Sequence, residues 1–504
     1  MDMDSSCRLR GTGCRLQGTS CRLQVARNYL LIITFARPNT NRLTDQIPIL
    51  LPLKKSISGF RGTIGGKAGD NLTPEDIVAN VAGYGAWLLK SGAAPKVVIG
   101  RDGRPSGPVV SALTAATLQC LGIDVINCDF ATTPTVEMAV VQHQAGGGII
   151  LSASHNPKEY NALKLLNSKG EFISAAAGAD LMAMAAEGDI IYCSVDDLGS
   201  ITADDTALRH HINAVMNHQL VNVAAIRKAG FKVVLDAVNS VGAISIPPLC
   251  RELGVTCEVI NGEVNGQFAH NPEPLPQHLG DLMDRLKTGD ADLGIAVDPD
   301  VDRLAFIGPG GRWIGEEYTL VAVADYVLRH TPGPVVSNLS SSRAAADIAK
   351  QHGQAYFASA VGEVNVVAKM KEVGAAIGGE GNGGIIDPKL HYGRDSLIGL
   401  ALVLSHLATS GKTINELRDG YAHYEMIKDK KEVDKTYDLD AAFTRVRAKF
   451  PDVRTSDIDG LKLDFPDGWV HLRASNTEPI VRVYAEAGTK ERAQELADGI
   501  KTVL

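Results

Sequence analysis

Short apolar runs recur along the chain at 96–100 (KVVIG), 147–154 (GGIILSAS), 232–237 (KVVLDA), 292–298 (DLGIAVD) and 334–339 (PVVSNL). Each is rich in Val and Ile and bounded by turn residues. Their apolar character is continuous rather than alternating, which predicts strands of a sheet buried on both faces. Helical stretches, such as 108–121 and 345–352, lie between them. The chain changes character from about residue 424. There a helix-like DLDAAFTRVRAKF precedes strand-like LKLDF, WVHLRAS and IVRVYAEA and a closing helix, which predicts a smaller α+β unit.

KVVIGRDGRPSG, KVVLDAVNSVGA and PVVSNLSSSRAA share one plan: a Val-Val strand, a polar loop, then a helix. Such recurrence is the mark of an internal repeat. With 504 residues the chain is too long for one core. The expected fold is α/β: three related α/β domains with mixed sheets, then the α+β domain, around a central cleft. Their expected spans are 55–202, 203–311, 312–423 and 424–504. Residues 1–54 stand apart, because CRLRGTG, CRLQGTS and CRLQ repeat every seven residues with one strongly apolar position each. This is no coiled-coil heptad, and the segment is excluded from the fold as a disordered or spurious extension.

A net charge of −8 argues against nucleic acid as the main partner, since a phosphate backbone wants a basic surface. It leaves a small anionic substrate open. No stretch approaches the ~20 apolar residues of a membrane span. The run 29–36 (YLLIITFA) is short and lacks a small-residue cleavage site after it, so the expected location is cytoplasmic. The 8 cysteines include no CxxC pair, and buried thiols are expected for Cys120, Cys128, Cys193, Cys250 and Cys257.

Four loops carry candidate chemistry. In Ser152-Ala153-Ser154-His155-Asn156-Pro157 a serine follows a buried strand, where α/β proteins place ligands, though a simple turn reads equally well. It lacks the GxSxG of an esterase elbow. Asp298-Pro299-Asp300-Val301-Asp302-Arg303 alternates carboxylates that can turn to one side and hold a hard cation. The glycine and distal glutamate of a calcium loop are missing, and a solvated acidic turn fits poorly after so apolar a strand. Gly379-Glu380-Gly381-Asn382-Gly383-Gly384 combines close backbone approach with two side chains able to bond sugar hydroxyls, or is a plain tight turn. Arg473-Ala474-Ser475-Asn476-Thr477-Glu478-Pro479, with Arg482 beyond, makes a phosphate cradle or a turn with surface arginines.

Together, in this order, the loops resemble those of the α-D-phosphohexomutase superfamily, from about residue 56 to the carboxyl terminus. The opening SISGFRGTIGG is most similar to bacterial phosphoglucosamine mutases. The resemblance implies a phosphorylated Ser154 and a Mg²⁺ held by Asp298, Asp300, Asp302 and a phosphoserine oxygen. Arg303 would touch the same phosphoryl group, with Arg61 and Lys164 as basic residues nearby. His155 and Lys164 are the candidate proton-transfer groups. Glu380 and Asn382 would recognise the sugar, while Arg473, Ser475, Asn476, Thr477 and Arg482 would grip the phosphate that stays.

The implied reaction interconverts hexose 6-phosphate and hexose 1-phosphate through a bisphosphate, with glucosamine phosphate favoured. Phosphomannomutase or phosphoglucomutase activity is the alternative, and a sugar-phosphate binder without turnover or a phosphatase stands outside the class. A monomer or homodimer is expected, with a hinge near 422–428. Three departures stand out: Ser152 replaces a common Thr, Asn382 and Gly384 replace a serine and a histidine, and Ala360 replaces a lysine. His391 and Arg394 are the candidates to compensate for that lysine.

Overall fold

The computed structural model of the protein describes residues 53–56, 59–188, 190–434, 437–474 and 480–504. The amino-terminal CRL repeats lie outside the described residues. A first, seven-stranded sheet is built from β1 (Lys54–Ser56), β2 (Gly59–Thr63), β3 (Lys96–Arg101), β4 (Asp124–Phe130), β5 (Gly147–Leu151), β6 (Tyr160–Leu166) and β7 (Ile201–Ala203), in the order β1-β2-β6-β5-β3-β4-β7. The second holds β8 (Lys232–Asp236), β9 (Thr256–Ile260), β10 (Leu293–Val297), β11 (Leu304–Gly308) and β12 (Arg312–Trp313), ordered β12-β11-β10-β8-β9. The third has β13 (Val335–Asn338), β14 (Tyr356–Ser359), β15 (Ile377–Glu380) and β16 (Gly384–Ile386), ordered β14-β13-β15-β16.

One plan runs through all three. A first strand (β3, β8 or β13) pairs in parallel with the second on one side and the third on the other. The fourth strand then returns antiparallel to the third, as β5–β6, β10–β11 and β15–β16. The Val-Val strands of the sequence repeat are the first strands of this plan. The third strands β5, β10 and β15 are buried at every position, and the first strands β3 and β8 at every position but their first, as strands covered on both faces are. The last sheet is wholly antiparallel, β17 (Glu425–Glu432), β18 (Arg454–Ser456), β19 (Leu461–Phe465), β20 (Gly468–Ala474) and β21 (Ile480–Ala487), ordered β17-β21-β20-β19-β18.

The second and third sheets share one hydrophobic core. The helix Ser396–Ser410 is apolar almost all round and buried from Ser396 to Leu407, as a helix with no solvent face must be. Asp395 starts it, its carboxylate accepting the amides of Leu397 and Ile398. The last sheet has its own core around Val446, Leu463, Val470 and Val483. It meets the third sheet through polar groups: Lys462 Nζ donates to Leu339 O at 2.8 Å, and the Arg343 amide donates to Glu486 Oε1 at 2.9 Å.

Two expectations are corrected here. The strand expected to reach Ser154 stops at Leu151, because Ser154 takes a φ of 50° and turns the chain away. Of the five free cysteines among the described residues, only Cys250 is buried. Cys120 is exposed at the end of the helix Gly107–Gln119, and Cys257 lies half-buried on the edge strand β9. Among the described residues no helix is long and apolar enough to cross a membrane.

Candidate active site

The three candidate loops of the repeated domains occupy one topological place. SASHNP joins β5 to β6, DPDVDR joins β10 to β11, and Gly381-Asn382-Gly383 joins β15 to β16. Each leaves the carboxyl end of a buried parallel strand, where the sheet delivers backbone and side chains into the crevice.

Ser154 is buried and left-handed, a conformation L-residues adopt at a cost and keep only when their surroundings hold them. Arg104 does the holding. Its side chain is wholly buried and bonds five acceptors: the carbonyls of Ser154, Asn156 (2.7 Å), Pro157 and Tyr160 (3.0 Å), and Asp102 Oδ2 at 2.9 Å. Ser152 Oγ donates to Asp102 at 2.7 Å and accepts the Ser154 amide at 2.9 Å. With the backbone fixed by others, the Ser154 hydroxyl is free for chemistry. It donates to Asp298 Oδ2 at 2.6 Å and lies 3.4 Å from His155 Nδ1. The charge of Arg303, burial and Arg61 together hold His155 well below its usual range, so its imidazole is neutral. Arg61 donates to Asn156 Oδ1 at 2.8 Å, at the far side of the loop.

Asp298, Asp300 and Asp302 are all fully buried, and each places a carboxylate oxygen within 4.8 Å of the other two. Asp300 Oδ2 accepts from Thr133 Oγ1 at 2.6 Å and from Lys164 Nζ at 2.5 Å. Asp302 Oδ2 accepts from Arg394 Nη2 at 2.6 Å and Lys164 at 3.3 Å. Asp300 Oδ1 and Asp302 Oδ1 have no hydrogen-bond partner. Burial, then repulsion from Asp302 and Asp300, pushes the Asp298 carboxyl well above its usual range. Burial opposes the charge of Asp300, but Lys164 outweighs it and holds that carboxyl low. Burial opposes the Lys164 ammonium too, and Asp300 and Asp302 more than offset it. Buried carboxylate oxygens without partners, all hard donors, can hold a metal ion. Arg303 stands at the rim with Nε 3.9 Å from Asp298 Oδ2 and from Asp302 Oδ1, making no hydrogen bond there.

Glu380 is buried. Its Oε1 accepts from Asn338 Nδ2 (2.8 Å) and the Gly362 amide (3.1 Å), and its Oε2 from Arg394 Nη1 (2.7 Å). Asn382 Oδ1 accepts the Gly384 amide at 3.1 Å, shaping the turn. A Cβ at Gly381 would lie 1.9 Å from Glu317 Oε2, so a side chain there requires the Glu317 carboxylate to move.

Arg473 and Arg482 are directly opposed on β20 and β21. Like charges so placed repel, and Asp459 Oδ2, 2.8 Å from Arg473 Nε, offsets this in part. Asp459 also accepts the Val361 amide of the third domain at 2.9 Å, which sets Arg473 beside the Ala360 segment. Ser475, Asn476 and Thr477 lie outside the described residues. The serine and metal loops meet through Ser154 and Asp298, the Gly383 carbonyl accepts the amide of Leu304 just past the metal loop at 3.1 Å, and Arg473 is tied through Asp459 to Val361 of the third domain. Sequence reasoning missed Asp102, Arg104, Thr133 and Asp459. Asp102 and Arg104 were visible in GRDGRPSG, directly after the first repeat strand. Asp459 gave no local signal.

The chain matches four family models: phosphoglucomutase/phosphomannomutase alpha/beta/alpha domain I over 53–189, domain II over 209–311, domain III over 315–424, and the C-terminal domain over 428–503. It is 36% identical over 446 residues to a phosphoglucomutase/phosphomannomutase of Thermococcus kodakarensis, covering 87% of this chain and 97% of that one. It is 30% identical over 455 residues to a phosphoglucosamine/phosphogalactosamine mutase of Sulfurisphaera tokodaii, covering 88% and 98%. Among solved structures, a phosphoglucomutase/phosphomannomutase family protein from Burkholderia thailandensis superposes with a TM-score of 0.77 at 26% identity, over 89% of this chain and 96% of that one.

Proposed function

The chain belongs to the phosphoglucomutase/phosphomannomutase family, and from that premise we propose that it is a phosphohexomutase working through a phosphoserine at Ser154. The observation that carries this is the Ser154 hydroxyl set 2.6 Å from Asp298, in a buried triad with unpartnered carboxylate oxygens. The donor set fits Mg²⁺, which when bound supplies charge neutralisation for the moving phosphoryl group.

The residues then divide the work. Ser154 carries the phosphoryl group and donates it to one end of the sugar phosphate, giving a bisphosphate, and then receives the other phosphoryl group from the opposite end. Arg303 and Arg61 face the phosphoryl with cationic side chains. His155, neutral and 3.4 Å from the serine oxygen, is placed to take a proton, and Lys164, held as an ammonium, to give one. Glu380 and Asn382 bind sugar hydroxyls, while Arg473 and Arg482, with the 475–477 segment, bind the phosphate that stays. One cleft has to accept the sugar in two orientations, so the last domain swings on the 422–428 segment between transfers.

Glucosamine 6-phosphate to glucosamine 1-phosphate is the favoured reaction, supported by the Sulfurisphaera relative's name and the opening SISGFRGTIGG. Glucose or mannose phosphate is the second reading, supported by the Thermococcus relative's name and by Asn382 in the sugar loop. The test is kcat/KM for the three 6-phosphates with Mg²⁺ and a bisphosphate primer. A tenfold preference for the amino sugar, about 1.4 kcal/mol at the transition state, establishes the first reading, and the reverse preference establishes the second. If none turns over and intact mass shows no phosphate dependent on Ser154, the mutase proposal fails. Release of inorganic phosphate as fast as isomerisation identifies a phosphatase instead.

A further inference from the structure

Arg394 is buried and belongs to none of the four loops, yet it joins two of them. Its three nitrogen groups go to three different carboxylates. Nη2 donates to Asp302 Oδ2 at 2.6 Å, Nη1 to Glu380 Oε2 at 2.7 Å and Nε to Glu363 Oε2 at 3.0 Å, while its backbone amide donates to Glu363 Oε1 at 3.1 Å. Asp302 lies in the metal loop of the second domain. Glu380 closes the strand that leads into the sugar loop of the third, and Glu363 opens the helix Glu363–Val373. The next residue, Asp395, is fixed as the cap of the helix Ser396–Ser410. The guanidinium is therefore a short rigid plate with little freedom to move on its own.

Its directions are committed, so Arg394 does not supply the cation missing at Ala360. His391 does not either, for its two ring nitrogens lie 3.3 Å from Glu137 Oε2 and 3.3 Å from Asp395 Oδ2. Glu380 is nearly saturated as well. Oε1 already accepts two bonds, and apart from Arg394 its Oε2 has only the Asn382 amide, at 3.4 Å. A sugar hydroxyl or ammonium reaching Glu380 must share Oε2 with Arg394 Nη1. Weakening of that bond leaves the guanidinium held by Asp302 and Glu363 and changes how strongly it draws on Asp302 Oδ2, whose carboxylate also carries the unpartnered Oδ1.

We propose that Arg394 is a positioning residue that couples occupancy of the sugar loop to the metal loop, through its simultaneous bonds to Glu380 and Asp302. This rests on the mutase reading of the two loops. A planar fork can hold both carboxylates at once, and a lysine ammonium at the same position cannot reach both with that geometry.

The experiment measures Mn²⁺ affinity of the full-length, dephosphorylated protein by electron paramagnetic resonance, with and without saturating glucosamine 6-phosphate or glucose 6-phosphate. Without phosphoserine there is no turnover, so the readout is binding alone. The expected result is a fivefold or larger change in Mn²⁺ affinity on sugar-phosphate binding, reduced below twofold in Arg394→Met. Arg394→Lys keeps a buried cation for the three carboxylates, and it too falls below twofold. A residue that merely stiffened the fold would alter both affinities and leave their ratio unchanged. Retention of the wild-type ratio in the lysine variant, or no ratio in wild type that binds both ligands, overturns the coupling. Failure of the wild type to bind any hexose phosphate overturns the mutase reading, and the coupling falls with it.

Discussion

Arg104 grips Ser154 by its carbonyl oxygen and leaves the hydroxyl to Asp298. The two ends of one residue thus answer to different masters, the backbone to a structural arginine of the same domain and the side chain to the second domain. Arg104→Lys loses the five-acceptor fork and leaves carbonyls and Asp102 unpaired in a buried site. We expect stability to fall by about 3 kcal/mol and kcat by about 100-fold, since a nucleophile misplaced by an ångström costs that much. Thermal unfolding and steady-state kinetics check both, and unchanged kcat would show that the loop holds without its clamp.

The triad predicts a protein stabilised by its metal. At 100 times Kd a divalent cation adds about 2.7 kcal/mol to the folded state. Chelation should lower the first unfolding transition and abolish turnover together, and Mg²⁺ should restore both. In Asp300→Asn, which removes the charge of one candidate ligand and of the carboxylate facing Lys164, added Mg²⁺ should no longer move the melting temperature.

Arg473 opposite Arg482 predicts effects of opposite sign in one variant. Replacing Arg482 by Gln removes cross-strand repulsion and should raise stability of the free protein by up to about 0.5 kcal/mol. The same change should raise KM for the hexose phosphate about tenfold with little change in kcat, the signature of lost uniform binding. A lower KM would remove Arg482 from the phosphate site.

The contact between the third and last domains should respond to pH through His471. Its Nε2 donates to the Asp459 carbonyl at 2.6 Å, so Nδ1 is the atom facing Ser340 Oγ at 2.9 Å. Burial, with Lys462 and Arg473 adding to it, lowers this imidazole to about 4. Lys462, Arg473 and the Asp459 carbonyl belong to the last domain and stay with His471 on undocking; docking adds burial and the Ser340 contact, and for that part docking strengthens as pH rises from about 4 toward the ordinary 6.5 and weakens as it falls. The effect is at most about 3 kcal/mol. Small-angle scattering or proteolysis at 422–428 should report opening as pH drops from 6.5 toward 4, and His471→Gln should flatten the response.

The sequence revealed what local pattern records. Val and Ile runs marked the first strand of every repeat and the third strand of the first two, because burial on both faces leaves no polar positions, while β15 (IGGE) carries too little Val and Ile to stand out and was read as part of the loop; DPDVDR announced itself by alternation. Leu461–Phe465 and Ile480–Ala487 were legible to the residue. The common place of the three loops was not, because SASHNP, DPDVDR and GEGNGG share no common pattern and only strand pairing aligns them. Arg394 was singled out only as a candidate replacement for the missing lysine; its bridging of Glu380 and Asp302 was not legible, since its partners lie 92, 31 and 14 positions away. The end of β5 was misplaced for the same kind of reason: apolar character continued, but a left-handed serine had to be held from Arg104.

Because the proposed nucleophile, the candidate metal ligands and the proposed sugar contacts sit on three copies of one connector, each proposed task can be rewritten by editing a few residues of a single turn. On that reading, a lineage can change the sugar it accepts through the β15–β16 turn while the β5–β6 and β10–β11 turns stay intact. Triplicated architecture of this kind makes substrate choice an inheritable variable separate from reaction type.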